Sequence, residues 1–173
     1  MGACHIRAGG GAASRGTVSD AAGGPAELFV RAAFGHDVDA MYDLVDWGVT
    51  GAARMARAMA GLEEPRRSEL ARQGIGELNG EPREALSSRL ASLASRLETA
   101  DPLRPATPDE LDEIRSELAV PPVPDGTDAD VAAALVEIRK RSDLIAEAAL
   151  ADRRGRPQVR LAVVGNTGKV ALV

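Results

Sequence analysis

The hydrophobic pattern of the chain changes near Asp143, and this change limits the folds that the chain can adopt. Before it, apolar residues recur at three- and four-residue steps, as in amphipathic helices. After it, RPQVRLAVVGNTGKVALV contains two β-rich runs around Gly165–Gly168, which is typical of a hairpin. Residues 143–152 are compatible with a third strand, although their alanines also permit a helix.

These patterns predict an α+β fold. N-terminal helices and a largely helical middle are closed by a C-terminal antiparallel β-meander of two or three strands. The alternative is a helical domain with an appended hairpin. Residues 1–24 are expected to form a flexible tether or tail, and residues 25–173 a single domain. Within that domain, residues 119–127 contain VPPVPDG and are expected to form a proline-rich linker.

The helical part divides at residues that begin or end helices. Pro25 suits the first position of a helix over 25–34, Gly35 is expected to take a positive φ after it, and Asp37 is expected to cap the next helix. Thr107 and Glu110 have the spacing of a capping box. Further helices are predicted at 50–62, 63–73, 81–100 and 107–118, and from Thr127 onwards. The second of these is expected to end before the glycines at 74, 76 and 80.

The N-terminal segment contains the one cysteine of the chain. Gly2-Ala3-Cys4 resembles the end of a bacterial lipoprotein signal, in which small residues precede a cysteine that becomes lipidated. The Gly/Ala/Ser-rich residues 7–24 have the composition of the tether that follows such a cysteine. Neither a charged nor an apolar signal segment precedes Cys4. The location is therefore predicted as either the cell envelope, through a lipidated Cys4, or the cytoplasm.

Composition and spacing argue against several other functions. A formal net charge of −5 argues against a nucleic-acid partner, and one cysteine excludes an internal disulfide. The glycines of VVGNTGK are too closely spaced for a nucleotide phosphate loop. Acidic clusters lie at predicted helix N-termini, where the helix dipole favours them, so we expect neither a metal site nor a cofactor. Apolar runs such as LAVV are too short to span a bilayer, which leaves lipidation as the predicted membrane contact.

All the aromatic residues lie in ELFVRAAFGHDVDAMYDLVDW, residues 27–47. In an otherwise aliphatic chain they are expected mainly to anchor the core, since each buries a large area. If a ligand pocket exists, Phe29, Tyr42, Trp47 and the neighbouring His36 are the candidates for one of its walls. No nucleophile motif accompanies them, so no catalytic residue is predicted.

The segment GHDVDAMYDLVD, after a leading helix, resembles a helix–helix corner of the nuclear transport factor two-like superfamily. The resemblance covers residues 26–47 and extends weakly to 143–173. It implies that N-terminal helices pack into the concave face of a curved antiparallel sheet and leave a conical pocket. The superfamily includes ketosteroid isomerase-like proteins and many bacterial envelope lipoproteins.

Three functions are compatible with this sequence. The first is a non-catalytic module that binds a small apolar ligand or a protein partner, in the cell envelope if Cys4 is lipidated. The second is a small isomerase- or dehydratase-like enzyme that uses a conical pocket with Tyr42 or His36. The third is a purely structural helical protein. The sequence favours the first and leaves the oligomeric state open.

The lipoprotein interpretation predicts a covalent modification. Protein expressed with its upstream codons in a bacterial host is expected to carry a diacylglyceryl group on Cys4, because small residues before a cysteine are the pattern that the lipidating enzymes recognise. Intact-mass spectrometry would detect the added mass, and Cys4→Ala should lack it. An unmodified cytosolic product of the native sequence would contradict this interpretation.

Overall fold

The computed structural model describes residues 24–77, 81–120, 122–123 and 125–173. The helices are α1 (Pro25–Phe34), α2 (Val38–Leu44), α3 (Trp47–Ala60), α4 (Arg66–Glu77), α5 (Arg83–Glu98), α6 (Pro108–Glu117) and α7 (Ala129–Ser142). The strands are β1 (Arg104–Pro105), β2 (Ile145–Arg153), β3 (Arg156–Val164) and β4 (Lys169–Leu172). Cys4 and the N-terminal tail lie outside the described residues.

The strands form one antiparallel sheet in the order β1-β2-β3-β4. The predicted α+β class with a C-terminal meander is therefore confirmed, and residues 145–153 are strand rather than helix. The hairpin turn between β3 and β4 falls at Gly165–Gly168, where Gly168 has a φ of 63°. Strand β1 was not predicted, because two residues between helices are too few to show an alternating pattern.

Helices cover both faces of this sheet. On one face, α3, α4, α6 and α7 form the α3–α7 core with sheet residues that include Leu150, Ala162 and Val164. On the other, α1, α2 and α5 form the α1–α5 core with sheet residues that include Leu161 and Val170. Successive strand residues point to opposite faces, so strands covered on both sides need apolar residues at successive positions. This explains the uninterrupted LAVV run in β3.

The predicted starts of α1, α2 and α6 are confirmed, whereas α3 begins at Trp47 rather than at Thr50, because Asp46 caps it. Helix α1 spans the expected residues, and the carboxylate of Asp37 accepts a 2.9 Å hydrogen bond from the N–H of Ala40. Thr107 and Glu110 form the predicted capping box at α6. The segments before and after the proline-rich residues 119–127 both contribute to the α3–α7 core, through Ile114 on α6 and Val131 on α7 among others.

The positive φ predicted for Gly35 is wrong. Gly35 has a φ of −81°, and His36 takes the left-handed conformation with a φ of 53°. The N–H groups of His36 and Asp37 donate to the carbonyls of Ala33 and Ala32, so the last turn of α1 closes one residue later than expected.

Two other helix ends also differ from expectation. Helix α4 continues through Gly74 and Gly76 to Glu77, because it packs against α3 and α7 and this packing outweighs the low helix propensity of glycine. Helix α7 is capped by Asp128 rather than Thr127. The Asp128 carboxylate accepts hydrogen bonds from the N–H groups of Asp130 and Val131.

No helix within the described ranges is long and apolar enough to cross a membrane.

The two phenylalanines of α1 provide a matched test of the core-anchor interpretation. Phe29 is 0% exposed in the α1–α5 core, whereas Phe34 is 57% exposed on the same helix. Phe29→Ala should lower the free energy of unfolding by about 3–5 kcal/mol, because it removes a buried ring and leaves a cavity. Phe34→Ala should change it by less than about 0.5 kcal/mol. Urea denaturation measures both, and equal effects would contradict the assignment of Phe29 as a core anchor.

An ion-pair cluster that joins α6 to the sheet predicts acid sensitivity. Bidentate hydrogen bonds from Arg104, with both N···O distances 2.7 Å, and a backbone hydrogen bond from Thr107 lower the pKa of Glu110 from 4.5 to about 2. Arg104 also contacts Asp152 of β2 at 2.8 Å. Because the folded pKa lies below the unfolded value, the stabilisation is complete above pH 4.5 and is lost as the pH falls to about 2.

Glu110→Gln should therefore flatten the dependence of unfolding free energy on pH in this window. Glu113→Gln provides a control with the same change of charge on the same helix, since Glu113 is exposed and has no ion pair among the described residues. Urea titrations at a series of pH values measure the slope. An unchanged slope in Glu110→Gln would contradict the proposed linkage.

Candidate functional site

A cavity of about 250 Å³ lies between α3, α5 and the end of β4. Its floor is apolar and includes Trp47, Ala53, Leu86, Leu172 and Val173. Its rim is polar, with Arg54 and Arg57 from α3, Arg89 from α5 and Glu81 just before α5. We call this space the apolar cavity. An engineered apolar cavity of about 150 Å³ in another protein admits benzene, so this volume is adequate for a small ring or a short alkyl chain.

The N-terminus of α3 is attached to the edge of the sheet, and this attachment positions the cavity. The Asp46 N–H donates to the Val170 carbonyl at 2.8 Å, and the Leu172 N–H donates to the Thr50 hydroxyl at 3.1 Å. The Asp46 carboxylate also caps α3 through the Val49 N–H at 3.0 Å. The cavity therefore lies where an edge strand meets the first turns of a helix.

The side-chain volumes on α3 leave room for the cavity. Trp47 is the only bulky apolar residue that α3 contributes to the wall, and the small residues Gly51 and Ala53 line it one to two turns later. Leu86 of α5 approaches from the opposite side. A helix of larger residues would fill this space, so the Ala- and Gly-rich sequence of α3 is the local cause of the opening.

Glu81 links two of the arginines on the rim. Its carboxylate lies 2.6 Å from Arg54 and 2.7 Å from Arg89. Burial raises the pKa of Glu81, but hydrogen bonds and charge interactions with Arg54 and Arg89 outweigh it, so the pKa is below its usual value. Glu81 therefore stays ionised at neutral pH and holds the guanidinium groups at the cavity mouth.

A second carboxylate orders the other side of the rim. Glu117 of α6 lies 3.1 Å from Arg57 and 2.8 Å from Arg160 of β3. Each guanidinium has five N–H donors, so the one carboxylate of Glu117 can accept from only some of the donors of Arg57 and Arg160.

The predicted wall residues occupy different environments. Trp47 lines the apolar cavity. Tyr42 packs against the Trp47 side chain, with their ring centroids 5.0 Å apart. The Trp47 indole N–H donates to the Tyr42 carbonyl at 3.1 Å. The Arg83 guanidinium lies 4.6 Å above the Tyr42 ring. Phe29 is fully buried in the α1–α5 core and presents no surface to a ligand.

His36 lies at the α1–α2 corner, outside the wall described for this cavity. Its Nε2 is 2.8 Å from the Glu98 carboxylate, and most of its side chain is exposed. The structure therefore brings Tyr42 and Trp47 together, with Trp47 alone of the four predicted residues in the cavity wall.

Sequence reasoning missed the arginines of the rim. Arg54, Arg57 and Arg89 come from two helices that are far apart in the chain, and each lies off an apolar stripe as an ordinary solvated residue does. The sequence pattern that could have identified this rim is the pair Arg54 and Arg57, which lie one turn apart on a helix otherwise made of small and apolar residues.

The geometry supports binding. Apolar side chains offer a dry surface, and the polar groups at the mouth can orient a ligand that has a polar end. Within the described ranges, no group of three or more His, Cys, Asp and Glu residues is arranged to hold a metal ion.

Comparison with protein-family models, with curated proteins and with solved structures finds no match to this chain.

Proposed function

We propose that the protein is a non-catalytic binding module that holds a small, mainly apolar molecule in the cavity between α3 and α5. One observation carries the proposal: an apolar floor of Trp47, Leu86 and Leu172 lies below a mouth of arginines whose positions Glu81 and Glu117 hold. Removal of apolar ligand surface from water drives binding, at roughly 25 cal/mol per Å². The rim orients the polar end of the ligand.

The environment of Tyr42 does not favour the isomerase- or dehydratase-like alternative. That mechanism needs an acid close to the tyrosine hydroxyl, inside a pocket. Tyr42 instead packs between Trp47 and Arg83, and no carboxylate among the described residues hydrogen-bonds to its hydroxyl.

The envelope location and the nuclear transport factor two-like resemblance are proposals of the same kind. The predicted corner after α1 is present, and the meander follows the helices in the chain. Helices on both faces of the sheet go beyond what the resemblance implies. Envelope anchoring depends on Cys4, so the binding proposal stands independently of it.

Trp47 makes the proposal testable without a label. It is the one tryptophan of the chain and lies in the cavity wall, so its emission reports directly on occupancy. Octanol is a suitable probe, because its chain is apolar and its hydroxyl is neutral. Titration with octanol should shift and saturate the Trp47 emission.

Leu86→Ala should weaken octanol binding by about fivefold to thirtyfold, because it removes ~1–2 kcal/mol of apolar contact. Leu90→Ala is the matched control, since Leu90 lies one turn further along α5 and is 0% exposed in the α1–α5 core. It should lower stability but leave the affinity unchanged. Loss of affinity in both variants, or in neither, would contradict binding in the α3–α5 cavity.

A further inference from the structure

A second cavity of about 380 Å³ lies beside the apolar cavity, between α5 and β3. The two share Arg89, Leu172 and Val173 in their walls. Strand β4 pairs with Leu161–Val164 of β3, and the Val173 N–H donates to the Arg160 carbonyl at 3.3 Å. The second cavity lies beside Gln158–Arg160, the residues of β3 that precede this pairing.

The described wall of this second cavity contains three arginines and no Asp or Glu side chain. Arg89, Ser92 and Arg96 lie on α5 at a spacing of three and four residues, which places them on one face of the helix. Arg160 comes from β3 and Gln158 lies two residues before it. The chain as a whole has a net charge of −5, so this wall departs strongly from the average composition.

The three arginines differ in how far acids offset their charge. Arg89 contacts Glu81 at 2.7 Å, and Arg160 contacts Glu117 at 2.8 Å. Arg96 donates a hydrogen bond to the carbonyl of Gln158, a neutral acceptor on β3. In the part of the chain that the structure describes, Arg96 has no ion pair. Of the three arginines in this wall, it is therefore the one without an ion pair to a described acid.

We propose that the second cavity is an anion subsite that takes a phosphate group. Guanidinium groups bind phosphate through parallel N–H···O bonds, and a phosphate monoester has ~1.5–2 negative charges at neutral pH, which suits several cations in one cavity. Arg96 provides the principal charge, and Arg89 and Arg160 supply further donors from either side. Ser92 adds a hydroxyl donor from the same face of α5.

This subsite identifies the ligand class of the proposed binding module, and to that extent it rests on the proposed function. The cavities meet at Arg89, so one molecule can place an apolar chain against Trp47 and Leu86 and its phosphate against Arg96. The ligand is therefore an amphiphile with a phosphate head group.

Three probes test the subsite on the full chain. Octanol carries the apolar part alone, inorganic phosphate carries the head alone, and octyl phosphate carries both. Trp47 emission follows the two octyl compounds, and isothermal titration calorimetry follows inorganic phosphate. Octyl phosphate should bind at least about tenfold more tightly than octanol, because one charge-assisted hydrogen bond contributes about the free energy of a tenfold change in affinity. This preference should shrink as salt is added.

Arg96→Gln should remove most of the preference for octyl phosphate and leave octanol binding unchanged, which also verifies that the variant is folded. Arg72→Gln is the control, since it removes the same charge from α4, where Arg72 contacts Glu69. Arg96→Lys keeps the charge but not the planar donors, and should restore only part of the preference.

The outcomes separate the two proposals. If octanol and octyl phosphate bind equally, the anion subsite is wrong and the apolar cavity stands. If octanol does not bind but inorganic phosphate binds and Arg96→Gln abolishes it, the subsite stands and the proposed function is wrong. If none of the probes binds, both are wrong. A preference for octyl phosphate that survives Arg96→Gln would also overturn the subsite as assigned here.

Discussion

Burial of the sheet on both faces is the constraint on which the rest of the structure depends. Antiparallel sheets commonly leave one face in water, and their strands then alternate apolar and polar residues. Here β3 contributes Leu161 to one core and Ala162 to the other, so the strand is apolar at successive positions. Small residues such as Ala149 and Ala162 let the helices approach the sheet closely. This arrangement allows a chain with four aromatic residues to build two cores.

The candidate sites lie along one edge of this covered sheet. Helices α3 and α5 contribute side chains that form hydrogen bonds with backbone groups of β3 and β4. Thr50 accepts a hydrogen bond from the Leu172 N–H, and Arg96 donates one to the Gln158 carbonyl. The same residues line the two cavities, Thr50 the first and Arg96 the second. The two cavities and the arginines around them are consequences of this edge.

Much of the architecture was predictable from local chemistry. Three helix starts are marked by Pro25, by Asp37 and by the Thr107–Glu110 capping box. Proline has no backbone N–H to satisfy, and the two caps accept hydrogen bonds from N–H groups of the first turn. These effects depend only on neighbouring residues. The features that were not predicted depend instead on contacts between elements that are distant in the sequence. The helix through Gly74 and Gly76 is stabilised by its packing on α3 and α7, and the two-residue strand β1 exists because β2 pairs with it.

The sequence by itself determined the helix boundaries set by caps, the hairpin at Gly165–Gly168 and the α+β class, since these depend on neighbours within a few residues. It also singled out Trp47, the only bulky apolar residue that α3 contributes to the cavity wall. Only the tertiary structure decided which arginines meet. Arg57, Arg89 and Arg160 come from two helices and a strand. Their carboxylate partners, and the cavities that they line, are set by packing across the sheet edge. No spacing along the chain encodes that proximity, because it depends on where α3 and α5 lie against the sheet.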